Sequence, residues 1–254
     1  MSVKRKTGSV IGTEIDAISM NDAVARVIDW AGHYHSKIVA ICNVHSLVTA
    51  SRNAAFAEVL NSADLATPDG APVAWVLRKI GFPHQQRVSG PDLMIELLEA
   101  CQESGVGVYF FGSTSAVLER LSRNIQQKFP RLRVCGLESP PFADVSSVDE
   151  AAVERINSSG AGVVFVGLGC PKQELWMGRH KGRVNAVMLG VGAAFDFHAG
   201  TLKRAPIWMQ NAGLEWLHRL VSEPRRLAKR YFVTNTVFLM RVSVQLLCRQ
   251  ATKT

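Results

Sequence analysis

The chain is poor in the residues that usually announce a metal centre or a disulfide scaffold. Only five of its 254 residues are cysteine, at positions 42, 101, 135, 170 and 248. They are scattered, odd in number and form no CxxC, so neither a zinc site nor a disulfide framework is indicated, and a reducing cytoplasm is the expected setting. None of the seven histidines stands at metal-ligand spacing from another His or Cys. No DxD carboxylate pair of the metal-holding kind occurs. The basic start, MSVKRKTGSVIGTEIDAIS, is not followed by an apolar core, so it is not expected to act as a secretory leader. No uninterrupted run of about 18 apolar residues exists, so a spanning helix is not expected. GxGxxG, the Walker loop, internal repeats and DNA-reading motifs are all missing.

Apolar residues make up 47% of the chain, enough for a sizeable core. The formal charge of +8 is unevenly placed. Residues 201–254 hold ten Lys and Arg against two acids, Glu215 and Glu223, and the first 200 residues balance at 19 against 19. A neutral body with a basic final fifth points to an anionic partner for that end. An anionic bilayer serves that charge as well as nucleic acid does, and no nucleic-acid partner is expected.

Short runs rich in Val, Ile and Phe alternate with helical patterns. The strand candidates are Lys37–Cys42, Val106–Phe111, Leu132–Leu137, Gly162–Leu168 and Ala186–Val191. Ser19 is placed to cap a helix over Met20–Tyr34, Pro91 to open one over Pro91–Ser104, and a third fits Thr114–Phe129. Residues 138–148, ESPPFADVSSV, read as a surface loop. Alternating strands and helices imply an α/β fold, a Rossmann-like, mostly parallel sheet flanked by helices, over residues 1–203. A basic helical appendage follows over 204–254. There Pro206 opens a helix whose Trp208, Ala212, Trp216 and Leu220 recur every four residues as one apolar stripe. Pro224 starts another helix, with Arg225, Arg226, Lys229 and Arg230 in its first turns. Its later part, Tyr231–Cys248, reads as too polar to span a bilayer and suited to lie in the interface or to pack on the body.

In parallel sheets ligands bind beyond the carboxyl ends of the strands. The weight therefore falls on Asn43 with His45, on Gly112 and Ser113, on Gly167–Gln173, on Gly192–Asp196 and on the Thr67-Pro68-Asp69-Gly70 corner. In VGLGCPKQELWM, Gly167 and Gly169 permit a tight turn, Pro171 suits a first helical turn, and the open N–H groups with Lys172 make an anion site; an ordinary βα turn would need the same glycines. Asp69 is either the centre of a common turn or a carboxylate poised to take a hydroxyl proton. Asp196, between two phenylalanines, has three options: a ligand ribose or base, the following helix, or Lys203 or Arg204. His45 and His198 are expected to be satisfied by local hydrogen bonds.

Six stretches taken together resemble the WecG/TagA/CpsF family of bacterial glycosyltransferases: ADLATPDGAPVAW, RVSGPDLM, FFGS, VGLGCPKQELWM, GVGAAFDFHAGTLKRAPIWMQNAGLEWLHRL and EPRRLAKRY, in family order over about residues 10–232. The resemblance implies an inverting transfer of a hexose from a UDP-sugar to a polyprenyl-diphosphate-linked sugar at the inner membrane face, in cell-surface polysaccharide synthesis. It implies no cofactor and no metal, a peripheral membrane setting, and an appendage that helps complete the site. Carried onto this chain, Asp69 matches the general base, Asn43 an active-site polar residue and Gln173 a residue near the transferred sugar. Where the family has a Thr-Pro-Asn lead-in, this chain has Ile41-Cys42-Asn43. Gly112, Gly167, Gly169, Lys172 and Asp196 match the nucleotide site, with Ser113 and Gly192 beside them, and Arg87 a phosphate or sugar contact. Arg225, Arg226 and Arg230 look like the arginines that reach diphosphate; Arg226 and Arg230 share a helix face, and Arg225 does not. An inactive nucleotide-sugar binder and a nicotinamide-dependent oxidoreductase stand as alternatives. The identity of the sugar and a homo-oligomeric state are left open.

Overall fold

The structure, a computed structural model, describes residues 5–141 and 147–251. It opens on a two-stranded antiparallel hairpin, β1 (Thr7–Val10) and β2 (Thr13–Asp16). The sequence reading did not anticipate it. Its turn is Ile11-Gly12, both at positive φ (44° and 91°), the two-residue geometry that matches strand twist. Only a four-residue strand flanks each side, too short for periodicity to register.

A six-stranded sheet follows. Its strands are β3 (Lys37–Cys42), β4 (Leu65–Pro68), β5 (Val108–Gly112), β6 (Val134–Glu138), β7 (Val163–Gly167) and β8 (Val187–Gly190). Their spatial order is β4-β3-β8-β7-β5-β6 and every pairing is parallel. The five sequence-derived strands are all present: β3 has the expected bounds, β7 and β8 are one residue shorter at each end, and β5 and β6 start two residues later and end one later. Helices cover both faces, so a strand such as β3 sends Ile38, Ala40 and Cys42 into one core and Val39 and Ile41 into the other. That is why these strands read as continuous apolar runs.

Helices α1 (Met20–Gly32), α5 (Gly90–Ser104) and α6 (Ser115–Lys128) stand where expected. Ser19 accepts the Asp22 N–H at 3.1 Å, and Thr114 caps α6. Between them lie α2 (Val44–Ala50), α3 (Ala54–Asn61) and α4 (Ala71–Lys79), and after them α7 (Glu150–Ser159), α8 (Lys172–His180) and α9 (Ala194–Ala199). The anticipated loop over 138–148 falls in part on residues 142–146, outside the described residues.

The C-terminal segment departs from expectation twice. The stripe from Trp208 to Leu220 is not one helix: α10 (Ile207–Asn211) and α11 (Glu215–Ser222) are separated at Gly213, whose φ is +73°. A Cβ at Gly213 would sit 2.8 Å from the Ala71 Cβ, so the break is where the chain presses on the start of α4. Trp208 and Trp216 consequently remain exposed rather than aligned on one buried seam. The last helix, α12 (Pro224–Ala251), is continuous over 28 residues. By length and composition it is apolar enough to cross a bilayer, contrary to the sequence reading. The polar residues that argued otherwise are partly absorbed, since Thr234 and Thr236 donate their hydroxyls to the Arg230 and Phe232 carbonyls at 2.8 and 2.7 Å. One face of α12 is buried through Leu227, Phe238 and Val242. Gln245 bonds the Ser9 carbonyl and the Ile11 N–H at 2.7 and 2.8 Å, tying α12 to the hairpin.

Candidate active site

A cavity of about 750 Å³ opens at the carboxyl edge of the sheet. Its walls are the segments after β3, β4, β7 and β8, and its roof is α11 with the first half of α12. Of the sequence-derived residues it brings together Asn43, Asp69, Arg87, Gly167, Gly169, Gln173, Gly192, Asp196, Arg226 and Arg230. Gly112, Ser113, Lys172 and Arg225 are not among the lining residues. Gly112 has a packing reason instead: its φ is +119° and a Cβ there would lie 2.6 Å from the Gly167 backbone, so it lets β5 and β7 close together. Ser113 donates its N–H to the Gly167 carbonyl at 3.0 Å and extends the same join. Arg225 is exposed on the outer side of α12.

Asp69 follows β4, where its N–H bonds the Cys42 carbonyl at 2.9 Å. Asn43 caps α2 through its Oδ1 and directs its Nδ2 at Asp69 Oδ2, 3.4 Å away. Burial, reinforced by the Glu215 carboxylate, pushes the Asp69 carboxyl up to about 6, while the Asn43 bond and the Arg87 charge pull the other way. A carboxyl with that proton affinity is matched to taking a proton near neutral pH.

Arg87 lines the cavity but is engaged. It donates to Glu215 at 2.9 Å and to Gln210 at 3.2 Å, and lies 3.6 Å from Asp92. Arg204 grips Asp92 through two bonds of 2.5 and 2.8 Å and reaches Glu215 at 3.1 Å. This four-residue cluster joins the C-terminal helices to α5 and answers one question about Asp196. Arg204 is engaged elsewhere, and Asp196 instead accepts the Thr201 hydroxyl at 3.1 Å while facing the cavity.

The corner after β7 also differs from expectation. The Gly169 N–H is not open to an anion, because it donates to Gln173 Oε1 at 3.2 Å. The cationic wall lies opposite, on α11 and α12. Arg219, Arg226 and Arg230 line the cavity together, and the Nε atoms of Arg219 and Arg230 are buried without a partner. Arg226 and Arg219 share Glu223, at 2.5 and 3.7 Å. Burial, with Arg226 and Arg219 close by, lowers the proton affinity of the Arg230 guanidinium. Three guanidinium side chains lining one wall of a cavity fit phosphate oxygens.

Two lining residues, Arg219 and Glu174, were not singled out by sequence, and a third, His45, was placed at this edge but expected to be locally satisfied. Arg219 belongs to a helix that looked like an apolar stripe, and only its break brings Arg219 alongside Arg226. Glu174 is the neighbour of Gln173, where an acid in a helical first turn is commonplace. It is buried, and burial raises its carboxyl to about 7. His45, expected to be locally satisfied, has its Nδ1 buried without a partner, and burial with the Arg230 charge lowers it to about 4. His198 does fit that expectation, bonding the Pro91 carbonyl at 2.9 Å, and His180 is likewise satisfied, bonding the Trp176 carbonyl and the Asp149 N–H at 2.7 and 3.0 Å. Among the described residues no three His, Cys, Asp or Glu side chains gather as metal ligands.

Comparison with known proteins agrees with this geometry. Residues 8–252 match the model of the glycosyl transferase WecG/TagA/CpsF family. A relative from Bacillus spizizenii, an N-acetylglucosaminyldiphosphoundecaprenol N-acetyl-beta-D-mannosaminyltransferase, is 33% identical over 178 residues, covering 70% of this chain and 68% of its own. With nearly its whole length matched and the sheet-edge residues gathered in one cavity, the chain belongs to the WecG/TagA/CpsF family of glycosyltransferases.

Proposed function

We propose that the chain transfers a hexose, N-acetylmannosamine being the first candidate, from a UDP-sugar to a polyprenyl-diphosphate-linked sugar during cell-surface polysaccharide synthesis. The observation that carries this reading is the pairing, across one cavity, of a carboxyl near neutral proton affinity with three arginines. The relative's name supplies the sugar and the lipid-linked acceptor. Asp69 takes the proton from the acceptor hydroxyl as that oxygen bonds the anomeric carbon. The bond from that carbon to the phosphate oxygen breaks, UDP leaves with the electron pair, and the anomeric configuration inverts. Negative charge grows on the leaving diphosphate, and Arg226 and Arg230, with Arg219 added by the geometry, offset it without a metal ion. Phe232, Met240, Val244 and Leu247 leave an apolar outer face on α12, suited to the membrane surface where the lipid-linked acceptor resides. In this reading, the donor being a UDP-sugar, the activity lies on the cytoplasmic side of the membrane.

The test is UDP release from a panel of UDP-sugars, with a short-chain lipid-diphosphate N-acetylglucosamine acceptor in detergent and with EDTA present. Acceptor-dependent release from one donor, lost in Asp69→Asn, is the expected result. Release that is indifferent to Asp69, or that needs added divalent metal, would overturn the roles given to Asp69 or to the arginines.

A further inference from the structure

Helix α8 begins with two polar side chains that are both buried, Gln173 at 4% and Glu174 at 1% exposure, and both line the cavity. The Gln173 amide is seated from several sides. Its Oε1 accepts the Gly169 N–H at 3.2 Å, and its Nε2 donates to Glu174 Oε1 at 2.9 Å. At the β8 edge the amide lies where side chains are missing: a Cβ at Gly190 would come within 2.9 Å of Nε2, and one at Gly192 within 3.5 Å of Oε1.

The two ends of a glutamine amide have the same shape and opposite chemistry, and neighbours decide which end points where. A carboxylate only accepts. Glu174 therefore holds the NH2 end toward itself, and the flipped amide would set carbonyl oxygen against carboxylate oxygen. In the held orientation one amide hydrogen goes to Glu174 and the other is available to a ligand oxygen in the cavity. The second carboxyl oxygen of Glu174, Oε2, is buried without a well-formed hydrogen bond, the Cys170 thiol being the other side chain that acts on this carboxyl. An apolar side chain would fill that space at lower cost to the fold, so the carboxyl is kept against stability.

We propose that Glu174 is a positioning residue that locks the Gln173 amide with an N–H facing the sugar or phosphate oxygens of the bound donor. The proposal rests on the transferase reading of the cavity. The burial-raised carboxyl agrees with it, because Oε1 accepts from Gln173 whether or not Oε2 carries a proton.

The experiment combines Glu174→Leu, Glu174→Gln, Gln173→Ala and the double variant Gln173→Ala with Glu174→Leu, assayed for acceptor-dependent UDP release at varied donor and followed by thermal melting. Glu174→Leu is expected to lose at least about tenfold in kcat/KM, and Glu174→Gln, which keeps an acceptor oxygen, to recover most of it. The melting temperature of Glu174→Leu should not fall. The double variant should be no slower than Gln173→Ala alone, because a residue acting through Gln173 has nothing left to orient. Losses that multiply in the double variant, full activity in Glu174→Leu, or full activity in Gln173→Ala would each overturn the proposal. Glu174→Met repeats the comparison if leucine disturbs packing. Wild-type release and its loss in Asp69→Asn judge the transferase reading separately, so the two can fail independently.

Discussion

At the scale of single residues, the site turns on how neighbours set the proton affinity of Asp69. Its carboxyl is active as a base only when deprotonated, so kcat/KM should rise with pH through about 6, the value that burial imposes. Asn43 stabilises the charged form through its 3.4 Å bond. Asn43→Ala should therefore move this acid limb to higher pH, which a pH–rate profile reads directly; a limb that stays in place would remove Asn43 from this role. On the opposite wall, Arg226→Ala and Arg230→Ala should each lower turnover by about a hundredfold to a thousandfold, the range seen when one transition-state charge contact is removed. Arg225→Ala, whose side chain is exposed outside the cavity, should leave turnover in detergent within about twofold, as expected for a surface position. Steady-state kinetics separates the two classes.

At the scale of elements, glycines mark where backbones meet. Gly112→Ala would force a Cβ to 2.6 Å from the Gly167 backbone at a φ of +119°, so β5 and β7 must part. A loss of about 3 kcal/mol or more is expected, read as a large drop in melting temperature. The parallel sheet was legible because most of its strands lie in short apolar runs rich in Val, Ile and Phe that mostly end in Gly or Asn. The helices at 20 and 90 were legible from Ser19 and Pro91, and the one at 115 from the helical pattern after Gly112-Ser113. The hairpin at the start was not, because its strands are too short for alternation to show. The break at Gly213 was missed because a four-residue recurrence of Trp, Ala, Trp and Leu imitates one helix, and only contact with Ala71 reveals the turn. Most of the site was legible, since a parallel sheet sends ligands to the residues that follow its strands. Arg219 and Glu174 were not, and the place of His45 was legible but not its unsatisfied Nδ1, because atoms left without partners are encoded by no spacing.

At the scale of the whole molecule, two buried carboxyls pull stability down as pH rises, against histidines such as His45 whose lowered proton affinity acts in the opposite sense. Glu174 and Asp69 have folded-state proton affinities raised to about 7 and about 6. Their protonated forms suit the fold, so the stability they allow is present below pH of about 4, near their unfolded values, and is lost as pH rises through 6 to 7. The chain should melt at lower temperature at pH 8 than at pH 5, other groups being equal. Glu174→Gln, which has no proton to lose, should flatten that fall by about 1–3 kcal/mol, since each tenfold change in proton affinity corresponds to about 1.4 kcal/mol. Melting curves across pH for both proteins check the sign. The charge excess of residues 201–254 should also show in solution, with binding to anionic vesicles that weakens as salt is added.

The join between the C-terminal helices and the body reaches into the chemistry as well. Glu215 sits on α11, yet its charge is the chief reinforcement of burial in raising the Asp69 proton affinity. It also draws on Arg87, whose own charge acts on Asp69 in the opposite sense. If α11 lifts, burial lessens, the carboxylate recedes and Arg87 is released, and all three changes make Asp69 a stronger acid. The inflection of the rate profile thus serves as a gauge of posture, a titration curve that reports from inside the cavity how closely the far end of the chain is seated.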